Sequence, residues 1–173
     1  TLISADYRPE SDRIEIIAGK QKVFALHLFD QTMVGKVDNV SYELMEIIAD
    51  ARVNLIGKEM NANSITYYLG GSIDSLNKVL YKAEKRHPRA SITGKMVALI
   101  SVIGSQIDTN KTLAKGVLAL MNRGVTPIAL HSSMRNVNVQ FVVSDDEYQQ
   151  AICALHGEFF EQDRGAKKSV NVA

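Results

Sequence analysis

The chain has 173 residues, 46% of them hydrophobic and 23% charged, with 11 glycines, 3 prolines and a net charge of +1. That composition is globular rather than disordered, and so small a net charge gives no reason to expect nucleic acid or an anionic membrane as partner. A single cysteine, Cys153, excludes an intrachain disulfide and fits a reducing cytoplasm, while no run approaches the eighteen apolar residues that span a bilayer.

The first residues lack the basic start and apolar core of a signal peptide and begin without methionine, so the chain is expected to be a fragment or a processed product. RIEIIAG, residues 13–19, reads as a short strand, and VFALHLFD, residues 23–30, as a second. The polar loop FDQTMVGKVDN follows, and then Val40, Leu44, Ile47, Ile48 and Ala51 recur at helical spacing. VNLIGKEM from Val53 and SITYYLGG from Ser64 are strands joined by the turn Asn61-Ala62-Asn63. A helix opens at Ser72, with Leu76, Val79, Leu80 and Ala83 as its apolar face, and RASITGK, residues 89–95, is a further strand candidate.

The order then repeats. VALISVIG, residues 97–104, leads through GSQIDTNKT to a stripe of Leu113, Val117, Leu118, Leu120 and Met121. VTPIALHS from Val125 and NVNVQFVV from Asn136 flank the turn Ser133-Met134-Arg135, and a helix opens at Ser144. Val53 and Val125, like Ser72 and Ser144, stand 72 positions apart, which marks an internal duplication. Ser144 with Glu147 has the spacing of a capping box, and Tyr148, Ala151, Ile152 and Leu155 continue the stripe. The second copy has no strand after its last helix, only the polar tail from residue 162. The spare strand at 13–19 is therefore expected to complete it. Each copy becomes β-α-β-β-α-β, an α+β class with antiparallel sheets and helices on one face, and the first copy is inserted into the second.

Little in the chain reads as catalytic. GSQIDTNKT lacks the spacing of a phosphate loop, and Gly70-Gly71-Ser72 is explained by a turn and a helix cap. His27, His87, His131 and His156 have no ligand-spaced partners and are expected to be structural, as is Cys153, a packed thiol. Ser132-Ser133 lacks the glycine context of a nucleophile elbow. The loop from Phe29 to Asn39 is more suggestive, because it joins a buried strand to a helix N-terminus near Asn54, Asn63 and Ser64. Donors for a carboxylate and a modest pocket would suit a small amino acid. The plainer alternative is that Asp38 is an N-cap and residues 61–63 only a turn. An RNA-binding module of the same strand order would need exposed aromatics with basic flanks, which Tyr67 and Tyr68 lack. A stand-alone enzyme would need a cluster of reactive groups.

Over about residues 10–162 the chain resembles the tandem ACT domains of an aspartokinase. LHLFDQTMVG (residues 26–35) is similar to the family's first strand and ligand loop, and VALISVIGSQI (97–107) to the opening of its second ACT domain. VNVQFVVSDDEYQQAICALHGEFFE (137–161) is similar to its closing strand and helix, and IEIIAG (14–19) stands where the strand from the kinase domain enters. The resemblance implies a linker over 1–12, a strand at 13–19 completing the second ACT domain, a first ACT domain over 20–95, a second over 96–161 and a loose tail. It also implies regulation. The family phosphorylates aspartate with MgATP, and its ACT domains bind end products such as threonine or lysine. The family's Lys-Phe-Gly-Gly kinase motif does not occur here, so this chain is expected to be the regulatory part, without catalytic residues or a cofactor of its own and inactive alone. Carried over by position, the effector site would comprise Met33, Val34, Gly35, Asn39, Val40, Val53, Asn54, Asn63 and Ser64. His131, Ser132, Ser133, Arg135 and Asn136 would lie at an edge facing another chain of a homodimer. The sequence departs from the family's D-x-P-G at the first loop, and His131 replaces a common glutamine.

Overall fold

In a computed structural model, residues 13–132 and 134–161 are described. The expected linker 1–12, Ser133 and the expected tail 162–173 lie outside the described residues. Ten principal elements follow one another: β1 (Arg13–Phe29), α1 (Val37–Asp50), β2 (Asn54–Met60), β3 (Ser64–Gly70), α2 (Ile73–Arg86), β4 (Ser91–Ser105), α3 (Thr109–Asn122), β5 (Ala129–Ser132), β6 (Asn138–Ser144) and α4 (Tyr148–His156). They form two compact units, one continuous over residues 22–97 and one split between residues 13–21 and 98–161.

In the continuous unit the strand order is β2-β3-β1-β4. β1 and β3 are antiparallel from Phe24↔Leu69 to Phe29↔Ser64, and β2 and β3 from Asn54↔Gly70 to Met60↔Ile65, with an irregularity between Leu55 and Gly57. Period two puts Phe24, Leu26 and Leu28 of β1 beside Ile65, Tyr67 and Leu69 of β3 on one face. Leu44 and Ile48 of α1 and Leu76, Val79 and Ala83 of α2 close over them, each at helical spacing. Complete burial of such a side chain stabilises by roughly 1.5–3 kcal/mol, so this face holds the unit together. Ser72 caps α2 as its hydroxyl accepts from the Ser75 N–H at 3.2 Å.

The split unit orders its strands β1-β4-β6-β5. β5 and β6 are antiparallel from Ala129↔Val142 to Ser132↔Val139. Ala98, Ile100 and Val102 of β4 and Val139, Phe141 and Val143 of β6 form the inner face, closed by Leu120 of α3, Ala151, Ala154 and Leu155 of α4, and Phe159 beyond it. Gly116 lets α3 approach closely, because a Cβ there would lie 2.3 Å from the ring of Phe141.

Several expectations are corrected. The segments 13–19 and 23–30 are parts of one strand, as are 89–95 and 97–104. Polar residues such as Lys20 and Lys95 read as breaks, but a strand paired on its flanks runs through them. Ser144 forms no capping box: it makes no side-chain cap bond, and a 3-10 turn, Asp145–Glu147, precedes α4. The buried stripe of α3 is Thr112, Gly116 and Leu120, which leaves Leu118 (60%) and Met121 (59%) exposed. Cys153 is exposed rather than packed, because α4 buries Ala151, Ala154 and Leu155 and position 153 lies off that face. Asp38 sits in the first turn of α1, whose N-cap is Lys36.

Candidate functional site

The C-terminal end of β1 organises the candidate loop. Asp30 Oδ1 accepts hydrogen bonds from the Thr32 N–H at 2.7 Å and from the Thr32 hydroxyl at 2.8 Å, which folds Gln31–Met33 into a 3-10 turn. Those two bonds favour the ionised form and hold the Asp30 carboxyl below its usual range. Met33 points inward and is buried in the core, while Val34 is exposed. Gly35 has φ +78, the left-handed region that favours glycine, and nothing lies within 4 Å of where its Cβ would be. The turn therefore offers an open surface over an apolar anchor. The N–H groups of Asn39 and Val40 already donate to the Lys36 carbonyl, so at those positions a ligand would meet side chains.

A second turn abuts the first. Asn61 Oδ1 accepts from the N–H groups of Asn63 (3.1 Å) and Ser64 (3.0 Å), and the Asn63 carbonyl accepts from the Asp30 N–H at 3.0 Å. Met33, Val34, Gly35, Asn39 and Val40 thus share one end of the sheet with Asn63 and Ser64. Val53 and Asn54 do not join them. Asn54 opposes Gly70, at the far end of β3 from Ser64. At about 3.3 Å per residue, the strands keep the two groups about 20 Å apart within one chain.

Beneath the first group lies a polar network that the sequence does not announce. The Tyr67 hydroxyl donates to the Ser41 carbonyl at 2.9 Å and lies 3.0 Å from Ser41 Oγ, which in turn accepts from Lys58 Nζ. Tyr67 is fully buried and Ser41 nearly so; burial pushes the tyrosine hydroxyl up from its usual pKa. The circuit ties β2, β3 and α1 together. On the opposite face, burial and then the neighbouring Glu59 carboxylate push Tyr68 up to about 12.

The other singled-out residues lie elsewhere in the two units. His27 Nδ1 is 2.9 Å from Thr66 Oγ1 across β1 and β3. The half-buried His87 ends α2 with its Nε2 3.6 Å from Glu43, too far for a hydrogen bond, and burial lowers its pKa despite that carboxylate. In the split unit His131 and Ser132 lie on β5, opposite Gln140 and Val139. Arg135 is exposed, and Asn136 has φ +52 and accepts the Ile107 N–H at 3.0 Å. Among the described residues, no group of three or more His, Cys, Asp or Glu side chains could hold a metal ion.

No model of a known protein family matches the chain. It is 38% identical over 163 residues, 94% of its length, to aspartate kinase Ask_Ect of Stutzerimonas stutzeri, and spans 34% of that relative. Its fold matches the regulatory subunit of aspartate kinase from Thermus flavus (TM-score 0.68, 12% identity, 85% of this chain and 99% of that one). It also matches aspartokinase III of E. coli in complex with lysine and aspartate (TM-score 0.67, 18% identity, 88% of this chain and 35% of that one). The chain is a relative of the aspartokinases, with the fold of their regulatory regions.

Proposed function

We propose that this chain is the amino-acid-sensing part of an aspartokinase, and that it works as a homodimer whose effector site is shared between subunits. The observation that carries this reading is the separation of the candidate residues into two groups about 20 Å apart on one chain. β2 is the edge strand of its sheet and exposes Leu55 and Met60. Pairing that edge antiparallel with a second copy brings the start of one β2 to the end of the other. Asn54 of the partner subunit then meets the Met33–Gly35 turn, so each site is completed by both chains. Exposed strand edges invite such pairing.

A ligand held by two chains binds one dimer arrangement better than another, and so shifts a pre-existing equilibrium. Coupling to a kinase domain outside these 173 residues follows by linkage. That domain, in this reading, uses MgATP to phosphorylate aspartate in the cytoplasm, and this chain needs no cofactor. Threonine and lysine are the candidate effectors. The relationship to aspartokinases supports the class, and the open turn at Gly35 supports a small ligand.

Titration calorimetry tests the reading. Threonine or lysine should give heat with a stoichiometry of one per chain, and the protein should sediment as a dimer. Asn54→Ala should abolish binding with the fold intact. A folded dimer that gives no heat with either amino acid would sink the effector site.

A further inference from the structure

The network on β2 carries an electrostatic consequence for what this site accepts. Lys58 belongs to the edge strand, yet its ammonium reaches inward to Ser41 Oγ on α1, one residue beyond Val40. The ammonium also stands 5.5 Å from the centre of the Tyr67 ring. One set of donor and acceptor roles satisfies the whole circuit. The Tyr67 hydroxyl gives its proton to the Ser41 carbonyl, so Ser41 gives its own to Tyr67 and receives one from Lys58. An ammonium has three protons, so two remain for another acceptor. Lys82 has Asp50 at 3.6 Å and Lys115 has Glu158 at 3.9 Å. Among the described residues Lys58 has no carboxylate partner.

We propose that Lys58 is the residue that recognises the effector's carboxylate and sorts effectors by charge, favouring an α-amino acid with an uncharged side chain over one with a second ammonium group. The proposal rests on the effector-site reading above. A cation fixed by a hydroxyl circuit is pre-organised, so little side-chain freedom is lost when an anion arrives. A hydrogen bond to a charged group contributes on the order of ten-fold or more in affinity. The same fixed charge repels a side-chain ammonium entering the pocket. Dimer pairing along β2 sets Lys58 in the interface that the site occupies.

Calorimetry on the full-length protein with L-threonine and L-lysine tests this. The wild type should bind threonine at least about ten-fold more tightly than lysine. Lys58→Met keeps the aliphatic stem over Tyr67 and should weaken threonine about ten-fold while the threonine-to-lysine ratio falls. Lys58→Arg should restore most of the affinity, and the melting temperatures of both variants report whether the fold is kept. Unchanged threonine affinity in a folded Lys58→Met, or a wild type that prefers lysine, would overturn the charge-sorting role and leave the shared site standing. A wild type that binds neither overturns the site and the role together.

Discussion

The two units share one strand and helix order, but they close their first loops differently. In the continuous unit residues 30–36 form a 3-10 turn, an exposed Val34 and a left-handed Gly35 before α1 begins, and Lys36 gives that helix no side-chain cap. In the split unit the link is shorter. Asp108 caps α3 directly by accepting from the Lys111 N–H at 3.0 Å, Ile107 is buried, and its N–H is bound to the Asn136 carbonyl. Each loop is tied to a neighbouring turn by one backbone bond, Asp30 N–H to Asn63 and Ile107 N–H to Asn136, but only the first carries an exposed Val34 and a left-handed Gly35. Duplicated architecture does not duplicate a loop surface, because loop length and capping are set locally in each copy.

The largest effect should come from the core of the split unit. Phe141→Ala removes the ring on which Gly116 rests and should cost about 3–5 kcal/mol. Hydrogen exchange should then rise in α3 and β6 well before it rises in β3. Equal loss in both units would show that they unfold as one and erase the distinction. Next, Tyr67→Phe strips the buried circuit of its phenol and leaves the Ser41 groups without their partner, costing about 1–3 kcal/mol by chemical denaturation. That change should weaken effector binding, since α1 loses its tie to β3.

Asp108→Ala should cost about 1 kcal/mol through its lost cap. Substituting the uncapped Lys36 by alanine should have no comparable effect on melting. The smallest effect is a dependence on pH. Burial depresses the pKa of folded His87 below its unfolded value of about 6.5. The unfolded chain therefore binds more protons in that window, and stability is lost as pH falls from about 6.5 through the depressed folded value. Melting curves at pH 7.5 and 5.5 should show less acid sensitivity in His87→Gln than in the wild type. Identical sensitivity would assign the effect to other groups.

The repeat, the alternating strands and the apolar faces of α1 and α2 were legible because period two and period 3.6 are local signals that the core then obeys. The long strands were not. A polar stretch such as 19–22 looks like a turn from within, and Lys22 does take φ +55, yet the strand continues through it. Ser144 shows the same limit, because a serine and glutamate at cap spacing do not compel a helix when a 3-10 turn satisfies the backbone. Around the candidate site, the polar loop 29–39 and the turn 61–63 were legible from their composition, whereas positions 33–35 were named only by the family resemblance. The Ser41–Tyr67–Lys58 circuit was not, since its members stand 17 and 26 positions apart and a lone serine on a helix face carries no signal. That Asn54 stands at the opposite end of the sheet follows from strand direction, which is a property of pairing.

The passage of β1 through both units also sets an order of events during synthesis. The continuous unit has all its strands once residue 97 has emerged from the ribosome, and its pairings are comparatively local. Residues 13–21 emerge before that unit but find their partners late. Glu15, for one, receives the Ser105 hydroxyl across 90 positions of chain at 2.9 Å. Contacts of such separation are slow to form, so this segment waits, unpaired, for the late arrival of β4. A stall or truncation between residues 97 and 105 would release a chain with a finished unit and a bare strand at its N-terminal side, a species open to pairing with the wrong neighbour.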